Sequence, residues 1–155
     1  MEAKEYTEMQ TLFTEYLTDK KLRKTEERYT ILKYICAFPG HFDMCMLHQQ
    51  LEDGNFHVSK ATLYNTLEVL VDAGLIVRHQ VNTKVVQYEL RLLADTHLHL
   101  VCTKCGAIRE VRNNILKADL DSLKISRFTP EYYSLYIYGI CSKCKYKYKM
   151  QKLSK

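Results

Sequence analysis

The sequence predicts an α+β protein: an N-terminal winged helix followed by a small C-terminal α/β half with a four-cysteine zinc site. Three observations carry that prediction. Apolar residues recur at three- and four-residue steps as far as Leu70, and Gly74 closes the last of these stripes. Two short β-branched runs, Leu75 to Val81 and Val85 to Leu90, come next with Asn82, Thr83 and Lys84 between them, which is the pattern of a hairpin. Beyond Asp95 the chain changes to short strand-like runs and carries two C-x-x-C pairs, Cys102 with Cys105 and Cys141 with Cys144, separated by thirty-five residues. The expected organisation is a DNA-binding winged-helix domain over 1–91, a hinge over 92–95, and a dimerisation and metal-binding domain over 96–155 that ends in a basic tail.

A chain of 155 residues with 46% hydrophobic content can fill one ordinary domain or two small ones. Its first residues, Met1 to Glu8, are acidic and polar, unlike a secretory signal, and nowhere do eighteen apolar residues run together. The expected location is therefore cytoplasmic, with no membrane partner. In that compartment thiols stay reduced, and paired C-x-x-C motifs read as metal ligands rather than disulfides. A formal net charge of +5 permits a nucleic-acid partner, with much of the positive charge between Lys20 and Lys33 and from Lys143 to Lys155.

The first helix is expected from Ala3 to Lys20, with Tyr6, Met9, Phe13, Tyr16 and Leu17 on one face. A basic cluster follows at Lys20, Lys21, Arg23 and Lys24. Thr25 then stands where it can cap a second helix with Tyr29, Ile31, Leu32 and Ile35 inward, ended by Pro39 and Gly40. Asp43 can cap a third helix carrying Met46, Leu47 and Leu51, closed at Asp53 and Gly54. Ser59 can cap a fourth, with Leu63, Leu67, Leu70 and Val71 as its buried stripe. Lys60, Thr62, Tyr64 and Asn65 crowd toward the N-terminal, outer face of that helix. Such a polar, aromatic and basic surface suits the second helix of a helix-turn-helix, whose first turns meet base edges in the major groove.

In the second half, strands are expected over 99–101, 107–111 and 131–140, a turn over 102–106, and a helix carrying Ile115, Leu116, Leu120 and Leu123. This half lacks a large core, so a bound metal would supply folding free energy, and its strands could pair with a second copy. A dimer is expected. The tail beyond Cys144 alternates lysines with tyrosines and reads as a mobile, solvated basic extension.

Four soft ligands in two C-x-x-C pairs suit tetrahedral zinc, and Gly106 fits the tight knuckle after the first pair. Reversible disulfides, or a thiol oxidoreductase using one pair, are the competing readings. The redox reading is the weaker because neither pair is expected to open a helix inside a βαβ pattern, the setting that lowers a thiol pKa. Cys36 and Cys45 read as small buried side chains in helices. His97 and His99, two apart on an extended segment, point to one face and can chelate one ion, with Glu110 in reach from the next strand. His41 and Glu89 lie upstream of the hinge, so an ion held by all five would join the two halves. Imidazole with carboxylate suits Fe(II), Mn(II), Co(II) or Zn(II). His48, His57 and His79 read as ordinary surface or core histidines.

With these residues laid out, the chain from about Arg23 to Cys144 resembles the ferric uptake regulator family of bacterial metal-responsive repressors. The likeness rests on T-x-x-R-x-x-I-L at Thr25 to Leu32, S-x-A-T-L-Y-N-T-L at Ser59 to Leu67, and Y-E-L at Tyr88 to Leu90. It continues in H-x-H-L-V-C-x-x-C-G at His97 to Gly106 and Y-G-x-C-x-x-C at Tyr138 to Cys144. The resemblance implies a homodimer on a double-stranded, inverted-repeat operator, with structural zinc on Cys102, Cys105, Cys141 and Cys144. It implies a regulatory divalent metal at His41, Glu89, His97, His99 and Glu110. It also puts Tyr64 against thymine, Arg23 toward the minor groove and Arg28 on the DNA backbone. A further metal site of some relatives falls on Thr96, Leu98, Lys117 and Tyr133, which lack the usual histidines and acids, so that site is expected to be absent.

The expected function is a non-enzymatic, metal-dependent transcriptional repressor that senses Fe(II) and controls metal uptake genes, with Zn(II) or Mn(II) as other candidate effectors. Peroxide or zinc sensing within the same family is the alternative. Peroxide-sensing relatives place aspartates where Glu89 and Glu110 stand, which favours metal sensing. A zinc-stapled interaction module without a DNA target is a further rival to the repressor reading.

Overall fold

The computed structural model describes residues 3–80, 86–94, 97–130 and 133–153. The chain divides into two compact units, one running to Gln80 and including Val86–Leu92, the other beginning at Leu93. The hairpin turn at Asn82, Thr83 and Lys84, the hinge residue Asp95, Thr96 and the expected strand start at Glu131 lie outside the described residues. Among the described residues, no helix is long and apolar enough to cross a membrane.

The first unit opens with α1 (Ala3–Asp19), which buries Met9, Phe13 and Leu17, one residue per turn. It packs against α2 (Glu26–Cys36), whose inward residues are Ile31, Leu32, Ile35 and Cys36. Thr25 occupies the capping position of α2 in an extended conformation, yet its side chain makes no cap hydrogen bond, contrary to expectation. Its hydroxyl serves Glu27 instead: the Glu27 carboxyl is held below its usual range by its own backbone N–H first and by Thr25 second.

The caps expected of α3 (Met44–Asp53) and α4 (Lys60–Asp72) do form. Asp43 accepts from Met46 N at 2.8 Å, and Ser59 accepts from Thr62 N at 3.0 Å. In α3 only Leu47 and Leu51 are buried; Met46, expected inward, is exposed because it precedes Leu47 on the outer turn. The inner face of α4 is Leu63, Thr66, Leu67 and Leu70, with Val71 only half-buried. Full burial of each leucine stabilises the unit by about 1.5–3 kcal/mol. The end of α4 is a Schellman motif. Leu75 N donates to Leu70 O at 3.0 Å and Gly74 N to Val71 O at 2.9 Å, and Gly74 supplies the required φ of 69°.

The wing is an antiparallel pair, β1 (Ile76–Gln80) and β2 (Val86–Leu90), in register from Ile76↔Leu90 to Gln80↔Val86. Phe42, just before α3, exchanges both backbone hydrogen bonds with Tyr88, at 2.9 and 2.7 Å, and so adds a short third rung. The residues expected as a hinge begin within a single helical turn, α5 (Arg91–Ala94).

The second unit is a three-stranded sheet of β3 (Leu98–Cys102), β4 (Ile108–Val111) and β5 (Tyr136–Gly139), in the order β4-β3-β5. β3 runs antiparallel to β4 and parallel to β5. The expected last strand is shorter than its sequence pattern, because pairing with β3 starts only at Tyr136. The helix α6 (Asn114–Asp121) is capped by Asn113 and buries none of its apolar residues within this chain. The tail is not an irregular extension: it forms α7 (Ser142–Leu153), opened by Lys145 N donating to Cys141 O at 2.9 Å. Lysine is a good helix former, and its alternation with tyrosine conceals this from a periodicity reading.

Candidate metal centres and nucleic-acid face

The thiol cluster follows from the sheet. Parallel pairing sets Cys102 beside Gly139, so the first C-x-x-C pair, at the end of β3, meets the second, just after β5. Gly106, at φ 72°, donates its N–H to Cys102 O at 2.9 Å and closes the knuckle. All four cysteines are free of disulfides, and one sulfur from each lies within 4.8 Å of every other. Cys105 Sγ and Cys141 Sγ are 3.8 Å apart. A disulfide would bring them to about 2.05 Å, whereas sulfurs about 2.3 Å from a tetrahedral zinc stand about 3.8 Å apart. The donor set therefore fits zinc.

The cluster splits its thiols electrostatically. Backbone N–H donors, that of Cys141 first at 3.3 Å from the sulfur, pull Cys102 down to about 6. Cys144, hydrogen-bonded to Cys141 and Cys105, is pushed up to about 12. The second pair opens a helix, α7, but no strand follows it among the described residues, so neither pair opens a helix inside a βαβ pattern there. Of the remaining cysteines, Cys36 is buried as expected but Cys45 is exposed, since it lies off the Leu47–Leu51 face of α3.

The histidines and carboxylates form one set in each unit. In the first, the Phe42–Tyr88 rung places their neighbours His41 and Glu89 side by side, with His41 Nε2 3.5 Å from Glu89 Oε2. The Glu89 side chain is completely buried, and a buried carboxylate demands a compensating cation or donors. In the second unit, His97 and His99 are both buried and their Nε2 atoms are 3.2 Å apart. Glu110 sits opposite His99 in the β3–β4 register. Its carboxylate reaches His97 through the other ring nitrogen, Nδ1, at 3.9 Å. Tyr136 stacks on the His99 ring with centroids 5.2 Å apart.

His79 carried no signal in sequence spacing. The wing pairing places it, fully buried, with Nε2 3.3 Å from Glu89 Oε2. His48 and His57 remain surface residues that flank Glu52.

On α4, Lys60, Tyr64 and Asn65 are exposed, Tyr64 at 50%. Thr62 differs: it is half-buried, with its hydroxyl 2.9 Å from Ser59 Oγ, so it serves the helix cap. One turn further on, Glu68 pairs with Arg78 of the wing at 2.6 Å and ties the hairpin to the helix. The Tyr88 hydroxyl faces the same pair; burial first and the Glu68 charge second raise its pKa. Arg23 is exposed. Arg28 is half-buried and donates to Arg23 O at 2.7 Å, so it shapes the loop before α2.

A helix-turn-helix with a hairpin wing, followed by a small sheet that gathers four thiols, defines a winged-helix regulator with a four-cysteine cluster that fits a metal. The family model described as ferric uptake regulator family matches residues 19–138. The chain belongs to the ferric uptake regulator family. It is 36% identical to a ferric uptake regulation protein of Neisseria meningitidis serogroup A, over 84% of this chain and 92% of the relative. It is 26% identical to a peroxide-responsive repressor of Staphylococcus epidermidis, over 80% and 82%. The structure of the ferric uptake regulator from Francisella tularensis with iron matches at a TM-score of 0.57 and 26% identity, over 80% of this chain and 95% of that one.

Proposed function

We propose that this chain is a dimeric, metal-dependent repressor that binds an inverted-repeat DNA operator and answers to Fe(II) to control metal uptake genes. The observation that carries this is the presence of two chemically distinct donor sets in one chain. Four clustered thiols suit a permanent zinc. Paired imidazoles and carboxylates, at His41 with Glu89 and at His97 with His99 and Glu110, suit an exchangeable first-row ion. In this reading Cys102, Cys105, Cys141 and Cys144 hold structural zinc and order the second unit.

The other five residues form the regulatory site, and a divalent ion would supply the bond that joins ligands from both sides of Leu92 to Asp95. His41 and Glu89 then report to the wing, which Glu68 and Arg78 tie to α4. Lys60, Tyr64 and Asn65 read base edges, and Arg23 contacts the DNA. Metal and operator affinities are coupled, typically by about 1–3 kcal/mol, roughly 5- to 150-fold, and reciprocally. The exposed Ile115, Leu123, Phe128, Ile137 and Ile140 of the second unit supply an apolar surface for the second copy. Glu89 and Glu110, where peroxide sensors carry aspartates, favour metal sensing.

The test is an operator gel shift with zinc-retaining protein and Fe(II), Mn(II) or Zn(II) added separately. Operator retention should appear on adding metal and weaken as salt rises. His97→Ala should lose the metal response while keeping its zinc and its fold; an unchanged response in that variant would refute the assignment.

A further inference from the structure

Among the described residues, His79 is the one buried histidine that the regulatory site above leaves out. It lies on β1 with its side chain fully enclosed, and its Nε2 is 3.3 Å from Glu89 Oε2. His41 Nε2 approaches the same oxygen at 3.5 Å, and the two imidazole rings stand 5.0 Å apart at 62° to each other. Two imidazole nitrogens thus converge on one buried carboxylate oxygen. Donor atoms about 2.1 Å from a common ion, at angles between octahedral and tetrahedral, are separated by about 3.0–3.4 Å. The distance to His79 falls within that range and the distance to His41 lies just above it.

We propose that His79 is itself a metal ligand, so that the first unit alone presents three donors, His41, His79 and Glu89, to the regulatory ion. Two nitrogens and an oxygen of this kind select first-row ions such as Fe(II), Co(II) or Zn(II) over magnesium or calcium. The inference rests on the regulatory site proposed above, and the wing strand β1 thereby becomes part of the sensor.

Full-length protein that retains its structural zinc is titrated with Co(II), and the visible d–d bands are recorded for the unaltered chain, His97→Ala, His79→Ala and His79→Gln. Zinc content and far-UV circular dichroism confirm folding, and His79→Gln conserves volume should the alanine variant fail to fold. The expected result is that removing His79 shifts the band positions and weakens Co(II) binding by at least about tenfold, since even outer partners of metal ligands are worth 10- to 100-fold. Weaker binding with unshifted bands would overturn the ligand assignment and leave His79 as a residue that positions Glu89. Unchanged bands and affinity on losing His79, with Co(II) binding lost in His97→Ala, would make His79 a packed core residue while the regulatory site stands. Unaltered Co(II) binding in His97→Ala would instead refute the regulatory site itself.

Discussion

Up to Leu92 the chain buries Phe13, Leu17, Ile31, Leu32, Ile35, Leu47, Leu51, Leu63, Leu67 and Leu70 completely, drawn from four helices. From Leu93 on, the buried residues among those described are Ala94, His97, Leu98, His99, Val101 and Cys102, all on β3 or just before it. α6 buries nothing within this chain, and Ile115 is 78% exposed. The two units therefore draw stability from different sources. The first excludes water from aliphatic side chains. The second has one covered strand, and it offers two further sources of stability: the thiol cluster, which could bind a metal, and an apolar surface that a partner could cover. A DNA reader needs a stiff scaffold, whereas a sensing and pairing half can depend on the species it binds.

The largest effect that would break this contrast is metal removal. Chelating the proposed zinc, or Cys102→Ser, should abolish slow amide exchange in β3, β4 and β5 and dissociate the proposed dimer in gel filtration, while α1 to α4 keep their protection. Equal protection of both units after zinc loss would show that the second needs no staple. Next in size is a pair of core substitutions. Leu67→Ala in α4 should cost about 2–5 kcal/mol in urea denaturation. Ile115→Ala should change monomer stability by no more than about 0.5 kcal/mol and reveal itself only as dimer dissociation on dilution. A large cost for Ile115→Ala in the monomer would contradict its exposure. The smallest effect separates two caps of the first unit. Ser59→Ala should cost about 1 kcal/mol, and Thr25→Ala should cost less, because the Thr25 side chain makes no cap hydrogen bond. Thermal melts of the two variants resolve the order.

Much of the first unit was legible because its signals are local. Asp43 and Ser59 cap the helices they precede, Gly74 takes the positive φ its position requires, and the leucine stripes of α3 and α4 face inward. The thiol cluster was legible for the same reason: spacing within each pair is local, and two such pairs need only one strand pairing to meet. What escaped depends on relations across the chain. α7 has no apolar stripe to announce it, and its start is set by where β5 ends against β3. Met46 and Cys45 follow helix periodicity less than they follow which face of α3 is covered. His79 could be placed beside Glu89 only once the wing register was known. Thr62 looked like a reader of bases from its position, but its hydroxyl is engaged with Ser59.

The reciprocal hydrogen bonds between Phe42 and Tyr88 have a consequence for selectivity. They fix the spacing of His41 and Glu89 as part of the wing's own backbone, and ordering that backbone costs about 1–2 kcal/mol per residue whether or not an ion arrives. These two donors of the proposed regulatory site are thus placed before any ion arrives. In the proposed site it is donor type that discriminates: imidazole nitrogen beside carboxylate suits first-row ions, whereas calcium takes oxygen ligands.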